Sequence, residues 1–449
     1  MRCVVPVLLS TALLPGCPAA DDTGLDPGWT EVSLEDLRTV VDADCHPDSL
    51  ATLEGAEPAT IRALLLDLDR ELKLADWTPG VSHGHSMPAV GLQTSLLDDF
   101  DFTYSLYVPE DYSADPTQPL PLYLDPGHPV DSVQDNRTLP FMANRLDQPM
   151  FFFQDNYFNT LYTELGEDGY YDDVYYNPDF ALVAAYQDHL ELVGGALAEL
   201  AQRYHIDTSR IYVGGMSAEG NAAWSHGIQI SDRWAAILPV SAGTAGYDEQ
   251  LWKNLENVGI LAVHGTEDEL CAVEDVDETV AMLEGWGFDV EYWRYEGEGH
   301  GTMFYRDYAL MVDWLLERQR SLQPTRVHKA IKSPRNTGAY WLRATAVDAA
   351  VSDSVDMYPE PPPAVVDASW VGSTVELEAT GVRTLDLYWM AGPPGPASGA
   401  AGDTIAVRLN GADHGSFTLE EDATAAVEAY CRTGDVQRAW AGRVTLELD

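Results

Sequence analysis

The sequence predicts an α/β protein with a helical lead-in and a β-rich tail. Between about residues 90 and 320, short β-type runs alternate with helical stretches, the pattern of a mainly parallel sheet covered by helices. One apolar strand, Ile211-Tyr-Val213, runs into a tight glycine-rich turn at Gly215-Met-Ser217, with a helix behind it. Beyond about residue 325 the helical period fades, and glycines, prolines and Asn410-Gly411 separate short strands of the kind that build a small β-sandwich.

The elements follow in chain order. Residues 1–17 read as a signal segment: Arg2 precedes an apolar stretch, Cys3 to Leu14, too short to span a bilayer. It ends in Leu14-Pro-Gly-Cys17, which resembles a bacterial lipobox; that pattern makes Cys17 the lipidated first mature residue, while Pro15 leaves secretion without an anchor open. Residues 18–30 are a polar tether, and no later segment has ~18 unbroken apolar residues. The expected location is therefore outside the cytoplasm: an outer-membrane or cell-surface lipoprotein, or a periplasmic or secreted protein.

Residues 31–80 form a helical segment. Ser33 with Glu35 and Asp36 gives a capped start, and Ile61, Leu64, Leu65, Leu68 and Leu72 give one apolar face, expected to pack on the following domain. Residues 81–322 form the α/β domain. Its strands are expected at Phe102–Val108, Leu120–Leu124, Leu182–Ala185, Ile211–Val213, Ala235–Val240, Ile260–Val263 and Val290–Tyr295. Helices are expected at Leu190–Tyr204, Asp275–Trp286 and Met303–Arg320. Residues 323–449 form the β-rich domain.

The 449 residues carry 25 Lys+Arg against 73 Asp+Glu, a formal net charge of −48, which argues against nucleic-acid or anionic-membrane partners. Residues 325–449 hold 10 basic and 17 acidic side chains, so most of the acid lies in the first two-thirds of the chain. An acidic solvated surface suits activity in saline water and favours neutral or cationic substrates over anionic ones. Cys45, Cys271 and Cys431 remain after the signal segment; one pair can be bridged in an oxidising compartment, and spacing does not say which. His83-Gly-His85 puts two imidazoles on an extended segment, but no Cys/His spacing suits zinc, and neither a metal nor a cofactor is expected.

Three motifs carry chemistry. Ser217 sits in the strand–helix turn, where small neighbours and helix N–H groups suit a nucleophile and a developing oxyanion. Asp268 lies just past the strand Ile260–Val263, and His300 lies in the glycine-rich Tyr295-Glu-Gly-Glu-Gly-His-Gly301. A serine needs a base, and the base an orienting acid; Ser217, His300 and Asp268 fill those roles in the order Ser…Asp…His. Asp275, expected to start a helix, and His264, at a strand end, are weaker rivals.

Residues 100–320 resemble secreted esterases of the α/β-hydrolase superfamily, in particular the polyhydroxybutyrate-depolymerase, feruloyl-esterase and prolyl-oligopeptidase-like group. The phrases that carry the resemblance are FTYSLYVPEDY, RYHIDTSRIYVGGMSAEGNAAW, SDRWAAILPVSAG, ILAVHGTEDELC and YEGEGHG, in that order. The resemblance implies Ser217 as nucleophile, Asp268 as triad acid and His300 as general base. Two departures stand out. Glu219 replaces the usual second glycine of the elbow, and Asp125-Pro-Gly-His128 replaces His-Gly-Gly after the strand at 120–124. Pro126 has no N–H, so the oxyanion hole is expected from Ala218 with Gly127 or His128.

The implied function is carboxylic-ester hydrolysis through an acyl-serine, on a small-molecule or polymer ester, with activity falling as acid protonates the imidazole. The alternatives are a prolyl-oligopeptidase-like peptidase, though no propeller-sized region precedes the domain, and a non-catalytic surface binding protein. In the last case the β-rich tail would bind polymer or glycan through Trp341, Trp370, Trp389 or Trp440. The aromatic stretch 140–187 offers Tyr171 and Tyr175 as pocket residues, with Glu219 beside them.

Overall fold

The computed structural model describes residues 29–43, 45–73, 78–88, 101–110, 112, 119–125, 142–146, 148–155, 181–244, 247–333, 335–348, 362–393 and 395–448. The signal segment with Cys17 lies outside these residues, as do Gly127, His128, Tyr171 and Tyr175.

Helix α1 (Leu34–Asp42) starts where its cap is written. The Asp36 N–H donates to the Ser33 hydroxyl, and the Ser33 N–H donates to the Asp36 carboxylate. Helix α2 (Pro58–Leu72) buries Ile61, Leu65 and Leu68 along one stripe. The main partner of that face is not the adjoining domain: it shares a core with Ala426, Val427 and Tyr430 near the far end of the chain. A disulfide between Cys45 and Cys431 joins the same two segments across 386 residues, and Cys271 is a free thiol. Hydrophobic period specifies a face, not which surface covers it.

The α/β domain is built on an eight-stranded sheet. Its strands are β1 (Ser82–Pro88), β2 (Asp101–Tyr107), β3 (Leu120–Asp125), β4 (Phe151–Asp155), β5 (Ile206–Met216), β6 (Ala236–Val240), β7 (Gly259–Gly265) and β8 (Val290–Tyr295). They lie in the order β1-β2-β4-β3-β5-β6-β7-β8. β2 is antiparallel to both neighbours; from β4 to β8 every pairing is parallel. The four long helices are α3 (Ala181–Arg203), α4 (Ala218–Gln229), α5 (Val273–Trp286) and α6 (Phe304–Leu316).

Side-chain alternation divides each buried strand between two cores. Leu122, Leu124, Phe151, Phe153, Ile211, Val213, Ile260 and Ala262 pack with α3, α4 and α5. Tyr123, Phe152, Tyr212, Leu261 and Val263 pack with α6 on the opposite face. The chain steps outward from β3 to β4 and returns to β5 on the other side of β3, so the strand order reverses between β3 and β5. In open α/β sheets the crevice at such a point, beyond the strand C-termini, is where ligands bind.

Two strand readings are corrected. Leu182–Ala185 is the first turn of α3, and the fourth strand is Phe151–Asp155. A four-residue apolar run fits strand or helix equally, and here the alanines continue a helical stretch while the consecutive phenylalanines fill both faces of a sheet. His83-Gly-His85 lies within β1, an extended segment as its sequence suggests.

The C-terminal region contains two five-stranded sheets. Its strands are β9 (Arg326–Ile331), β10 (Gly338–Ala339), β11 (Leu342–Val347), β12 (Ala364–Val371), β13 (Thr374–Thr380), β14 (Val382–Ala391), β15 (Ser398–Gly399), β16 (Thr404–Leu409), β17 (Ala412–Thr418) and β18 (Gly442–Glu447). One sheet has the order β10-β11-β14-β15, with β18 also on β14, and the other β17-β16-β13-β12-β9. Trp341, Trp370, Trp389 and Trp440 are buried in the core between them, which removes these residues as a surface for polymer or glycan. A helix not expected from the sequence, α7 (Ala423–Thr433), is capped by Asp422 and carries the apolar stripe that receives α2.

The α/β and β-rich regions meet on a buried ion network. Arg438 reaches Asp232 at 2.7 Å, Arg320 reaches Asp435 at 2.7 Å, and the Thr208 hydroxyl donates to Asp435 at 2.7 Å. Burial works against the Asp435 carboxylate, but Arg320 and Arg438 outweigh it and lower its pKa to about 2. The depressed value means that this stabilisation is present above the unfolded-state carboxylate pKa and is lost as pH falls toward about 2. Asp435→Asn leaves the buried Arg320 and Arg438 with one charge fewer between them. We expect it to cost about 3–5 kcal/mol in urea unfolding at neutral pH, and to flatten the acid dependence of the midpoint. An unchanged midpoint would remove this network from the seam.

Candidate active site

The site is built on the C-terminal ends of β3, β5, β6, β7 and β8. β5 ends at Met216, and α4 begins at Ala218, leaving Ser217 alone to turn the chain. Its backbone sits at φ 61°, ψ −116°, a region side-chain-bearing residues rarely occupy. Hydrogen bonds hold it there: its N–H donates to the Val240 carbonyl at 2.8 Å, and its carbonyl accepts from Asn221 N–H at 2.9 Å. The serine is half-buried, lifted from the sheet and reachable, with the N-terminus of α4 directly behind it.

The substitution of Glu219 for the usual glycine is accommodated by its neighbours. A methyl group at Gly215 would land on the Glu219 Cβ and 2.8 Å from Asp125 Oδ1, so position 215 must be bare. Gly220 takes over the close helix–strand approach, because a Cβ there would lie 2.8 Å from the Ala242 Cβ and 3.0 Å from the Val240 carbonyl. Glu219 itself is buried. Its carboxylate and that of Asp125 act on the same two phenols, Tyr123 and Tyr305. Burial raises both of these, and the two carboxylates raise them further. Asp125, at the end of β3, also accepts from Gln154 Nε2 at 3.0 Å. The Ser217 turn is thus flanked by two buried acids, one on each side of the strand-order reversal.

Asp268 and His300 form a pair. The imidazole Nδ1 lies 2.9 and 3.0 Å from the two Asp268 oxygens. Asp268 Oδ1 also accepts the N–H groups of Leu270 and Cys271, each at 3.0 Å. Burial works against its charge, but these donors and His300 outweigh it, and its pKa is lowered. With Nδ1 donating to Asp268, neutral His300 carries its lone pair on Nε2.

Backbone contacts bring the acid and histidine loops to the elbow. Thr266 N–H donates to the Tyr295 carbonyl and Glu267 N–H to the Glu298 carbonyl, both at 2.9 Å, which joins the ends of β7 and β8. Gly301, next to His300, packs so closely on Met216 that any side chain there would strike the Met216 sulfur. Gly301 N–H also donates to Ser241 Oγ at 2.9 Å, and Ser241 itself has a positive φ. Ser241 is a positioning residue that sequence reading missed; a serine after a strand end is its whole signal.

The rivals resolve by position. His264 is buried, lies 3.4 Å from Asp268 Oδ2 and 3.0 Å from the Cys271 carbonyl, and braces the acid loop. Asp275 lies in the first turn of α5. Cys271 is not bridged, so no disulfide pins the acid loop; burial, then the Asp268 charge, pushes its thiol up to about 11, which keeps it protonated and poorly nucleophilic at neutral pH. Among the described residues no group of three or more His, Cys, Asp or Glu is placed to hold a metal ion.

No protein-family model matches the chain, and no curated protein matches it. Solved structures similar to it include a thermostable esterase (TM-score 0.39, 19% identity, 53% of this chain and 63% of that one). A ferulic acid esterase is similar with TM-score 0.39 and 15% identity, over 53% of this chain and 98% of that one. Dipeptidyl peptidase 4 of Porphyromonas gingivalis is similar with TM-score 0.35 and 12% identity, over 53% of this chain and 35% of that one. The chain thus spans less than two-thirds of the first and third of these. Likenesses this distant carry no weight on chemistry, which rests on the geometry of the described residues.

Gly215→Ala is expected to cost about 1–3 kcal/mol in urea unfolding, through the collision with Glu219. Glu219→Gly in the same chain should recover part of that cost, giving a non-additive double-mutant cycle. Strictly additive effects would show that the two residues do not share this contact.

Proposed function

We propose that this protein is a serine hydrolase that cleaves carboxylic esters, with Ser217, His300 and Asp268 as its triad. The observation that carries the reading is Ser217 alone in the left-handed region at the β5–α4 turn, with the His300–Asp268 pair fastened to the same turn through Gly301 and Met216.

In this reading Ser217 Oγ attacks the acyl carbonyl while its proton passes to His300 Nε2. The tetrahedral oxyanion is met by the Ala218 N–H, with Gly127 or His128 supplying the second donor. Collapse breaks the carbon–oxygen bond to the alcohol, which leaves with the proton from Nε2. Water then gives a proton to Nε2 as it attacks the acyl-serine; collapse breaks the bond between the acyl carbon and Ser217 Oγ, which takes the proton from Nε2, and the acid leaves. Asp268 fixes the tautomer of His300 and stabilises its charged form. The acids at 125 and 219 and the net charge of −48 favour neutral or cationic esters over anionic ones. A leader cleaved before Cys17, which then carries the lipid, and Tyr171 and Tyr175 as acyl-pocket residues complete the proposal.

The direct test is labelling with a fluorophosphonate and turnover of p-nitrophenyl esters of short and long acyl chain. Ser217→Ala should abolish labelling and lower kcat by about 10⁶-fold, and Asp268→Asn should lower kcat by about 10⁴-fold with little change in KM. Absence of labelling in the parent protein would sink the hydrolase reading, and turnover of peptides without esters would move it to the peptidase alternative. Because the Asp268 pKa is lowered, it stays ionised wherever histidine titrates. The acid limb of kcat/KM should therefore have the slope of one proton, and a two-proton limb would contradict that assignment.

A further inference from the structure

Where the β-rich region and the N-terminal helical segment converge, a cleft of about 650 Å³ opens beside the Cys45–Cys431 disulfide. Two smaller hollows, of about 300 and 80 Å³, adjoin it and share Arg343 as a wall residue. Across the three, the lining holds six arginines and four carboxylates. That excess of positive charge stands on a chain of net charge −48 with only 25 basic residues in all. A quarter of the basic side chains therefore face one concavity.

Four of the six arginines are accounted for by neighbours. Arg438 pairs with Asp232 and Asp435, Arg443 with Asp422 and Glu428, and Arg335 with Glu191. Arg233 donates to the carbonyls of Arg432 and Thr433. The remaining two, Arg343 on β11 and Arg432 at the end of α7, make no side-chain hydrogen bond or ion pair with any described residue. Asp386 stands opposite Arg343 in the β11–β14 register and accepts from the Thr445 hydroxyl at 2.7 Å, and no hydrogen bond or ion pair joins it to Arg343. Arg343 and Arg432 also lie close enough to repel one another: burial first, and then the Arg343 charge, lowers the pKa of Arg432. The two guanidiniums share a wall on which arginines outnumber carboxylates six to four, an excess that a bound anion offsets.

We propose that this cleft binds a small ligand through a phosphate or sulfate oxyanion, gripped by the guanidinium groups of Arg343 and Arg432. Two unpaired guanidiniums match the charge of a dianion, and each fork offers paired N–H donors to its oxygens. The ligand is small because the net charge of the chain repels polyanions, and because the charge lies in a concavity rather than along an extended face. The cleft is separate from Ser217, His300 and Asp268, none of which lines it.

The test is calorimetric titration of the full chain, at constant ionic strength, with inorganic phosphate, inorganic sulfate, glucose 6-phosphate and acetate. Saturable binding of the dianions is expected, with acetate weaker. Arg343→Gln and Arg432→Gln should each weaken phosphate by about tenfold, and Ser217→Ala should leave it unchanged. Arg343→Lys, which keeps the charge and loses the fork, should bind more weakly than the parent if the fork matters, and it covers the case in which a glutamine variant does not fold. Without anion, the glutamine variants should unfold at the same or a higher temperature than the parent, because a repulsion has been removed; a merely structural role lowers it. Equal affinity for phosphate and glucose 6-phosphate identifies the free anion as occupant, and tighter binding of the ester identifies an organic phosphate. No saturable heat up to about 20 mM phosphate, or undiminished binding in a folded Arg343→Gln/Arg432→Gln chain, overturns the proposal.

Discussion

The backbone of Ser217 is the constraint on which the rest of the site depends. A side-chain-bearing residue at φ 61° is strained, and it persists only because its surroundings over-determine it. Those surroundings are the parallel pairing of β5 with β6, the hydrogen bond from Ser217 to Val240, and the bare positions 215 and 220 that let α4 come down on the strand ends. The strain presents the hydroxyl above the sheet and aims the first N–H groups of α4 at the same space. Each adjoining loop is then placed relative to that turn, the histidine loop through Gly301 and the acid loop through its hydrogen bonds to the histidine loop.

Charge is managed differently in three places. At the site, Asp268 is buried but surrounded by donors, so it stays ionised and can orient an imidazole. At the seam between the two regions, Asp232 and Asp435 are buried against arginines, and the pairs fix how the β-rich region sits on the sheet. In the cleft beside the disulfide and its adjoining hollows, arginines outnumber carboxylates six to four. The first two arrangements satisfy their charges internally; the third leaves a positive excess, the basis of the anion site proposed above.

The ends of the chain are held to one another. α1 and α2 share their core with α7, and the disulfide closes the same contact. The four tryptophans of the β-rich region fill its interior, so that region works as a packed support rather than as an aromatic binding face.

The sequence by itself determined the α/β class, most strand and helix positions, the cap at Ser33, and the three residues of the candidate triad. These are legible because each rests on local spacing: alternation, the helical period, or a short motif at a strand end. Only the tertiary structure decided that Phe151–Asp155 is a strand, since consecutive aromatics obscure the period until both sheet faces are known. It also decided that Cys45 pairs with Cys431, that Gly220 does the packing Glu219 cannot, and that Ser241 steadies the histidine loop. The arginine cleft likewise draws on residues 233 to 443, scattered through the chain and joined by no motif. Long-range partners of this kind are fixed by which faces meet, and local residue order carries no record of that.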